Sequence, residues 1–174
     1  TDELLARIAS VIDPARIDYI VSNHSEPDHS GGLPAVIRAT SPEKVIASKN
    51  GVKALADHFG LVDVAAVADG ETLSLGNRTL TFLETKMLHW PDSMVTYLHE
   101  EALLFSQDAF GMHLADARLF ADLIPAETLE WEARKYFANI LLPYSPLILK
   151  ALDRITGLKL PLRTVAPDHG PIWR

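Results

Sequence analysis

The start of the chain has apolar residues at the spacing of an amphipathic helix. These residues are Leu4, Leu5, Ile8, Val11 and Ile12, and such spacing places them on one helix face. The pair Asp13-Pro14 ends the pattern, because proline lacks the N–H that a continuing helix needs. The next segment, RIDYIVS (16–22), is rich in β-branched and aromatic residues and predicts a buried strand. The following SNHSEPDHSGG (22–32) is therefore a loop at the carboxyl end of this strand.

Residues 31–60 continue with alternating helices and strands. GGLPAVIRAT predicts a helix, KVIASK (44–49) a strand, and GVKALADHF (51–59) a helix that Asn50 can cap and Gly60 ends. This alternation is typical of α/β proteins.

From Gly70 onward the pattern predicts hairpins. ETLSL (71–75) and RTLTFLET (78–85) flank the turn signal Gly76-Asn77, and MVTYLH (94–99) and ALLFSQD (102–108) flank Glu100-Glu101. We therefore expect the second half of the sheet to be partly antiparallel. Helices over 126–142 and 145–157, on either side of Pro143, and a strand LRTVAPD (162–168) complete the predicted elements.

Length and composition fit one globular domain over residues 1–174, since 48% of the 174 residues are hydrophobic. Sixteen basic and 23 scattered acidic residues give a net charge of −7, so we expect no nucleic-acid partner. The longest apolar stretch, ANILLPYSPLIL (138–149), is too short and too interrupted by proline to cross a bilayer. We also expect no leader, because no charged segment followed by an apolar one opens the chain. We expect no membrane association and a cytoplasmic location. Because the chain begins with Thr1, we also expect it to be processed or to be an excerpt of a longer chain.

The chain has no cysteine, which excludes disulfides, thiolate zinc sites, iron–sulfur ligation and cysteine nucleophiles. Any metal must be held by nitrogen and oxygen. Candidate ligands of this kind follow predicted strands, and the ends of several strands can converge at one edge of a sheet. These residues are His24, Glu26, Asp28, His29, His89, Asp108 and His169. The other three histidines, His58, His99 and His113, lie outside this pattern, and we expect them to be surface or packing residues.

The spacing of the first four candidates suits two metal ions. In an extended loop side chains alternate, and His29 breaks the alternation, so Asp28 and His29 can face a different centre from His24 and Glu26. The natural division is His24, Glu26 and His89 on one ion and Asp28, His29 and His169 on the other, with Asp108 as the bridge. Two ions about 3.5–4 Å apart, each with an open position, can hold and polarise a small molecule.

Simpler interpretations of the same residues stay open. HSEPDH (24–29) is also compatible with a solvated turn that contains proline. Gly31 and Gly32 either form a tight turn before the next helix or let the backbone approach the site closely. For the WPDS segment (90–93) we expect loop packing rather than direct chemistry.

The pattern H-x-E-x-D-H, followed by His89, Asp108 and His169, resembles the metallo-β-lactamase-like domain of flavodiiron proteins, the A-type flavoproteins that reduce dioxygen or nitric oxide. Similar to that family's signatures are LHWPDSM (88–94), LFSQDAFG (104–111), KYFANILLPYSP (135–146) and APDHGPIWR (166–174). The resemblance implies an α/β fold of the αββα sandwich type and a non-haem di-iron site with the division given above. It also implies that Tyr136 lines the substrate pocket as a catalytic residue that donates a hydrogen bond or proton; packing on a helix face is its alternative role.

Glu26 separates the redox and hydrolytic branches of this superfamily. Zinc hydrolases of the metallo-β-lactamase class usually have H-x-H-x-D-H, with an imidazole where this chain has a carboxylate. The extra negative charge and the oxygen–nitrogen ligation favour iron or manganese. We therefore expect an oxidoreductase, with a dinuclear-metal hydrolase or a non-catalytic metal-binding domain as the alternatives.

The resemblance implies two iron ions and FMN as cofactors, O2 or NO as the substrate, and rubredoxin or a similar protein as electron donor. It also implies a head-to-tail homodimer, in which the FMN of one subunit meets the di-iron site of the other. Relative to this family, we expect the first sheet to lack its N-terminal strands, and we expect the flavodoxin-like FMN domain to lie after Arg174, outside these residues. We therefore expect this partial domain to bind iron but to be inactive alone with a flavin-dependent donor.

Overall fold

The computed structural model describes residues 1–174, which form two compact units, Thr1–Ala68 and Asp69–Arg174. Whether they act as one domain stays a prediction. None of the helices combines the length and the apolar character needed to cross a membrane.

The first unit is a three-stranded parallel sheet with helices between its strands. The alternating pattern predicted its first two strands, whereas the third, Val64–Val67, was not predicted. Its elements are α1 (Asp2–Val11), a 3-10 turn (Pro14–Arg16), β1 (Tyr19–Ser22), α2 (Pro27–Ser30), α3 (Leu33–Thr40), β2 (Lys44–Ser48), α4 (Lys49–Phe59) and β3 (Val64–Val67). The sheet order is β1-β2-β3, and both pairs are parallel. Its core joins Leu33 and Leu55 of the helices to Val45, Ala47 and Val64 of the strands. Burial of these apolar side chains holds α3 and α4 on the sheet.

The start of α4 differs from the prediction. The helix begins at Lys49, and the Oγ of Ser48 accepts a hydrogen bond of 3.0 Å from the N–H of Gly51. Ser48 is therefore the N-cap, and the prediction of Asn50 as the cap was wrong because Asn50 already lies in the first turn. The predicted end is confirmed, since Gly60 follows with a left-handed φ of +67°.

The second unit contains a five-stranded sheet of its own. Its elements are β4 (Thr72–Ser74), β5 (Thr79–Glu84), β6 (Met94–Leu98), β7 (Leu103–Gln107), a 3-10 turn (Ala121–Leu123), α5 (Ala126–Tyr136), a π-helical turn (Phe137–Leu141), a 3-10 turn (Leu142–Tyr144), α6 (Ser145–Gly157) and β8 (Thr164–Pro167). In the order β4-β5-β6-β7-β8, the first three pairs are antiparallel and β7–β8 is parallel. The predicted hairpins are confirmed, but they belong to a separate sheet rather than to the second half of one.

The predicted helix over 126–142 is shorter in the structure. α5 ends at Tyr136, and the chain continues through the π-helical and 3-10 turns before α6. Pro143 has no N–H, and in a regular helix its ring would clash with the carbonyl of Asn139. The π-helical and 3-10 turns replace the regular helix here and so avoid the clash.

Arg154 of α6 forms an ion pair with the start of the second unit. Its guanidinium donates to Asp69 Oδ1 at 2.6 Å and to the carbonyl of Glu84 at 3.1 Å. Burial raises the pKa of Asp69, but the hydrogen bonds from Arg154 and from the N–H of Glu84 outweigh it and hold this pKa below its usual value. The ion pair thus fixes α6 beside the end of β5.

Candidate metal centre

In the first unit, four candidate ligands follow the end of β1. The Nε2 of His24 lies 3.3 Å from Glu26 Oε2, and the Nε2 of His29 lies 3.5 Å from Asp28 Oδ1. The rings of His24 and His29 are 4.9 Å apart, centroid to centroid. Both imidazoles are buried, whereas Glu26 is half-buried and Asp28 is exposed. Two imidazole–carboxylate pairs thus lie side by side within one short segment.

This segment is not the extended loop that the sequence predicted. Pro27 begins the single-turn helix α2, and Asp28 and His29 lie within it. The separation of Asp28 and His29 from His24 and Glu26 therefore comes from a helical turn and not from a break in strand-like alternation. The buried Ser30 hydroxyl donates to the carbonyls of Ser25 at 2.7 Å and Glu26 at 2.9 Å, which fixes the turn.

Gly31 has a structural role in this turn. A Cβ at Gly31 would lie 2.5 Å from the carbonyl oxygen of Pro27, a distance that Cβ atoms essentially never show. A Cβ at Gly32 would meet only the flexible end of Leu4, at 3.2 Å. Of the two interpretations left open by the sequence, the tight turn accounts for Gly31.

In the second unit, the parallel pairing of β7 and β8 brings two candidate ligands together. Asp108 directly follows β7, and His169 comes two residues after β8. The Nε2 of His169 lies 3.4 Å from Asp108 Oδ1, and the Nε2 of His89 lies 3.3 Å from Asp108 Oδ2. Each oxygen of this buried carboxylate, 2% exposed, therefore faces a different imidazole.

His89 reaches Asp108 from the loop between β5 and β6. The strand predicted over RTLTFLET (78–85) is confirmed as β5, which stops at Glu84, so that His89 follows it only after a loop. The next residues turn, with hydrogen bonds from Thr85 N–H to Ser93 O and from Leu88 N–H to Thr85 O. These contacts depend on Ser93 at the far end of the loop, so strand periodicity could not reveal them.

Gln107 was not identified as a site residue from the sequence, yet it contacts the neighbours of all three ligands in this unit. Its Nε2 donates to the carbonyl of Leu88, and its Oε1 accepts from the N–H of Asp108, each at 2.8 Å. Its main-chain carbonyl accepts from the N–H of Asp168 at 2.9 Å. Gln107 is fully buried, and a buried amide on a predicted apolar strand was the available signal.

Tyr136 lies against the same carboxylate. Its hydroxyl donates to Asp108 Oδ1 at 3.0 Å, and the side chain is 3% exposed. His113 is exposed, but its ring stands 4.8 Å from that of Tyr136 and 5.2 Å from that of His169. The expectation of a packing residue fits His113, while its position next to His169 was not foreseen. His58 and His99 are exposed surface residues, as expected.

The donor set suits metal ions of the iron or zinc type. All four imidazoles present Nε2 to a carboxylate oxygen at 3.3–3.5 Å, longer than a typical N–H···O bond of about 2.9 Å. Two donors about 2.1 Å from one ion are roughly 3.0–3.5 Å apart at octahedral or tetrahedral angles. The spacing in each unit therefore fits pairs of ligands around a shared ion.

Parallel and antiparallel strands with His, Asp and Glu at their ends define a metallo-β-lactamase-like domain of mixed α/β class, and this predicted fold class is confirmed. The model of the family described as "ODP family beta lactamase" matches residues 1–170, and the chain belongs to this family.

Two relatives illustrate the similarity in sequence. The chain is 52% identical over 174 residues to a rubredoxin-oxygen oxidoreductase of Megalodesulfovibrio gigas, covering 99% of this chain and 43% of the relative. It is 45% identical over 175 residues to a nitric oxide reductase of Moorella thermoacetica, covering 99% of this chain and 44% of the relative. The chain thus spans less than half the length of these relatives.

Two solved structures illustrate the similarity in fold. The rubredoxin oxygen:oxidoreductase of Desulfovibrio gigas superposes with a TM-score of 0.96 at 51% identity, over 99% of this chain and 43% of that one. The flavodiiron protein of Giardia intestinalis superposes with a TM-score of 0.90 at 33% identity, over 99% and 42%. The resemblance to flavodiiron proteins is therefore confirmed.

Proposed function

We propose that this chain is the di-iron domain of a flavodiiron-type oxidoreductase that reduces O2 to water, NO to N2O, or both. The observation that carries the proposal is the Asp108 carboxylate, because its two oxygens face two different imidazoles, His89 and His169. A carboxylate with this arrangement can bridge two ions. The names of the relatives support O2 and NO as the substrates.

The proposed ligands form two groups. We propose the division expected from the sequence, with His24, Glu26 and His89 on one ion, Asp28, His29 and His169 on the other, and Asp108 as the bridge. The two ions, when bound, supply the redox chemistry and the open positions for a diatomic substrate. Nitrogen and oxygen donors without any thiolate suit iron.

The residues of the chain hold the ions and limit access of water. His24 and Asp108 are each 2% exposed, so they offer a dry, preformed set of donors. The hydroxyl of Tyr136 restrains Asp108 Oδ1, which orients the proposed bridge. A further role of Tyr136 as donor to a bound intermediate stays a prediction.

Electrons and protons must come from outside these ligands, since reduction of O2 to water consumes four of each, and coupling of two NO to N2O and water consumes two of each. We propose FMN as the immediate electron source, and the name of one relative supports rubredoxin as its donor. A head-to-tail homodimer and a cytoplasmic location stay predictions. We expect the 174-residue chain to bind iron but not to turn over with a flavin-dependent donor.

The proposal is tested by the metal content of two variants. Protein prepared without oxygen should hold close to two irons per chain, and Asp108→Asn should lose iron from both positions, because the amide cannot bridge as a carboxylate does. Glu26→His should lose iron or shift the preference toward zinc. Asp153→Asn, at an exposed acid on α6, is the matched control and should keep both irons.

The alternatives predict other outcomes. Two zinc ions together with hydrolysis of an ester or thioester would overturn the redox function in favour of a hydrolase. Unchanged folding and binding after metal removal would instead support a non-catalytic domain. Consumption of O2 or NO by a flavin-containing form of the protein would establish the activity.

A further inference from the structure

The second unit contains a cavity of about 340 Å³ between the five-stranded sheet and the helices α5 and α6. Its walls are aliphatic or aromatic almost throughout. Leu104 lines it from the sheet, Ala133 from α5, and Ile148 and Ala151 from α6. Apolar walls of this kind favour apolar guests such as xenon over water.

The polar groups in the cavity wall are few. The Tyr136 hydroxyl is directed to Asp108, and the Trp173 Nε1 donates to the carbonyl of Phe110 at 2.8 Å. Thr85 is 8% exposed, and its hydroxyl makes no hydrogen bond. The cavity therefore offers one unsatisfied hydroxyl in an otherwise apolar space, which suits a small guest of low polarity.

The inner end of this cavity adjoins the candidate ligands of the second unit. Leu88 lines it and precedes His89 in the chain, and Ala109 lines it and follows Asp108. Tyr136 forms a wall and contacts Asp108 through its hydroxyl. Tyr136 therefore contacts both the cavity and Asp108.

The outer end lies at the surface. Leu152 of α6 also lines the cavity, and it is 36% exposed. By contrast, Val95 and Leu104, at the sheet, are 1% and 2% exposed. The cavity therefore runs from solvent toward the interior.

We propose that this cavity binds the apolar diatomic substrate, O2 or NO, and concentrates it beside Asp108. The inference rests on the proposed function. Both gases dissolve better in apolar media than in water, so an apolar cavity that opens to solvent and ends beside Asp108 raises their local concentration. The Thr85 hydroxyl can donate a weak hydrogen bond to either molecule.

The first test locates a gas probe in the iron-loaded protein. Crystals pressurised with xenon should show it inside the cavity, in contact with Leu104, Ile148 and Ala151. A cavity that holds ordered water, or that stays free of xenon, would overturn the proposal. This test does not depend on turnover.

The second test fills the cavity. In the flavin-containing enzyme, Ala151→Phe should raise the KM for O2 or NO several-fold, with kcat at saturating gas and iron content unchanged, since the ligands are intact. Lys150→Phe places the same side chain on the exposed side of α6 and should change none of these values. Ala133→Leu fills the cavity from α5 and should act like Ala151→Phe.

The outcomes separate the two proposals. If both filling variants keep the wild-type KM, the cavity has no part in substrate delivery although the enzyme is a gas reductase. If the unmodified enzyme reduces neither O2 nor NO, the proposed function fails, and xenon binding then marks only an apolar cavity.

Discussion

Gln107 is the residue on which the geometry of the second unit depends. Its side chain connects the segment before His89 to the N–H of Asp108, and its main chain holds the segment before His169. It adopts a left-handed φ of +49° to do so, a conformation uncommon for residues other than glycine. One buried amide thus sets the relative positions of three candidate ligands.

Gln107→Leu should loosen this arrangement while filling a similar volume. It removes two buried hydrogen bonds, and each buried polar group that loses its partner costs about 1–3 kcal/mol. We expect a lower free energy of unfolding, measured with denaturant, and iron that is released more readily to a chelator.

Phe105→Leu provides the control for Gln107→Leu, because Phe105 lies on the same strand, is 38% exposed and takes no part in these side-chain bonds. It should keep wild-type iron retention. Equal retention of iron by Gln107→Leu would contradict a positioning role for Gln107.

At the scale of elements, the turn from α2 into α3 fixes the four candidate ligands of the first unit. Gly31→Ala should destabilise the protein, because its Cβ would collide with the rigid carbonyl of Pro27 at 2.5 Å. Gly32→Ala is the matched control, since its Cβ meets a mobile leucine end. Neither glycine has a positive φ, so the comparison isolates the steric contact.

We expect Gly31→Ala to lower the free energy of unfolding by about 1–3 kcal/mol, the usual cost of overpacking. Gly32→Ala should stay within about 1 kcal/mol of wild type, because alanine also favours a helical backbone. Thermal unfolding followed by circular dichroism measures both. Equal effects would show that the turn at Gly31 tolerates a side chain.

The elements that periodicity governs were predictable from the sequence. The strands β1 and β2 of the first unit and both hairpins of the second follow from local patterns of apolar residues and turn signals, whereas the short strand β3 was not predicted. The candidate ligands could be found because they follow predicted strands. Asp108 and His169, for example, follow β7 and β8, and the parallel pairing of these strands places their ends at one edge of the five-stranded sheet.

The turns were not predictable, because contacts between distant residues decide them. The loop that carries His89 turns at Thr85 through a bond to Ser93 and is held by Gln107. The position of His113 against Tyr136 and His169 likewise depends on tertiary packing. No sequence periodicity encodes such contacts.

At the scale of the whole molecule, the proposed site has a consequence for folding. Four candidate ligands belong to the unit Thr1–Ala68 and three to the unit Asp69–Arg174. If each ion takes ligands from both units, as proposed, the ions act as crosslinks between them. Ions that bind only the folded state add stability, about 4 kcal/mol when the free ion is at a thousand times its dissociation constant.

Iron-loaded protein should therefore unfold in one calorimetric transition, at a higher temperature than the metal-free protein. After removal of iron by a chelator, we expect two separable transitions at lower temperature, because each unit has its own sheet and can lose it independently. Restoring iron should merge them again in wild type and in Asp153→Asn, but not in Asp108→Asn, which lacks the bridge. Identical calorimetric traces with and without iron would mean that the ions do not connect the two units, and the ligand division proposed above would then be wrong.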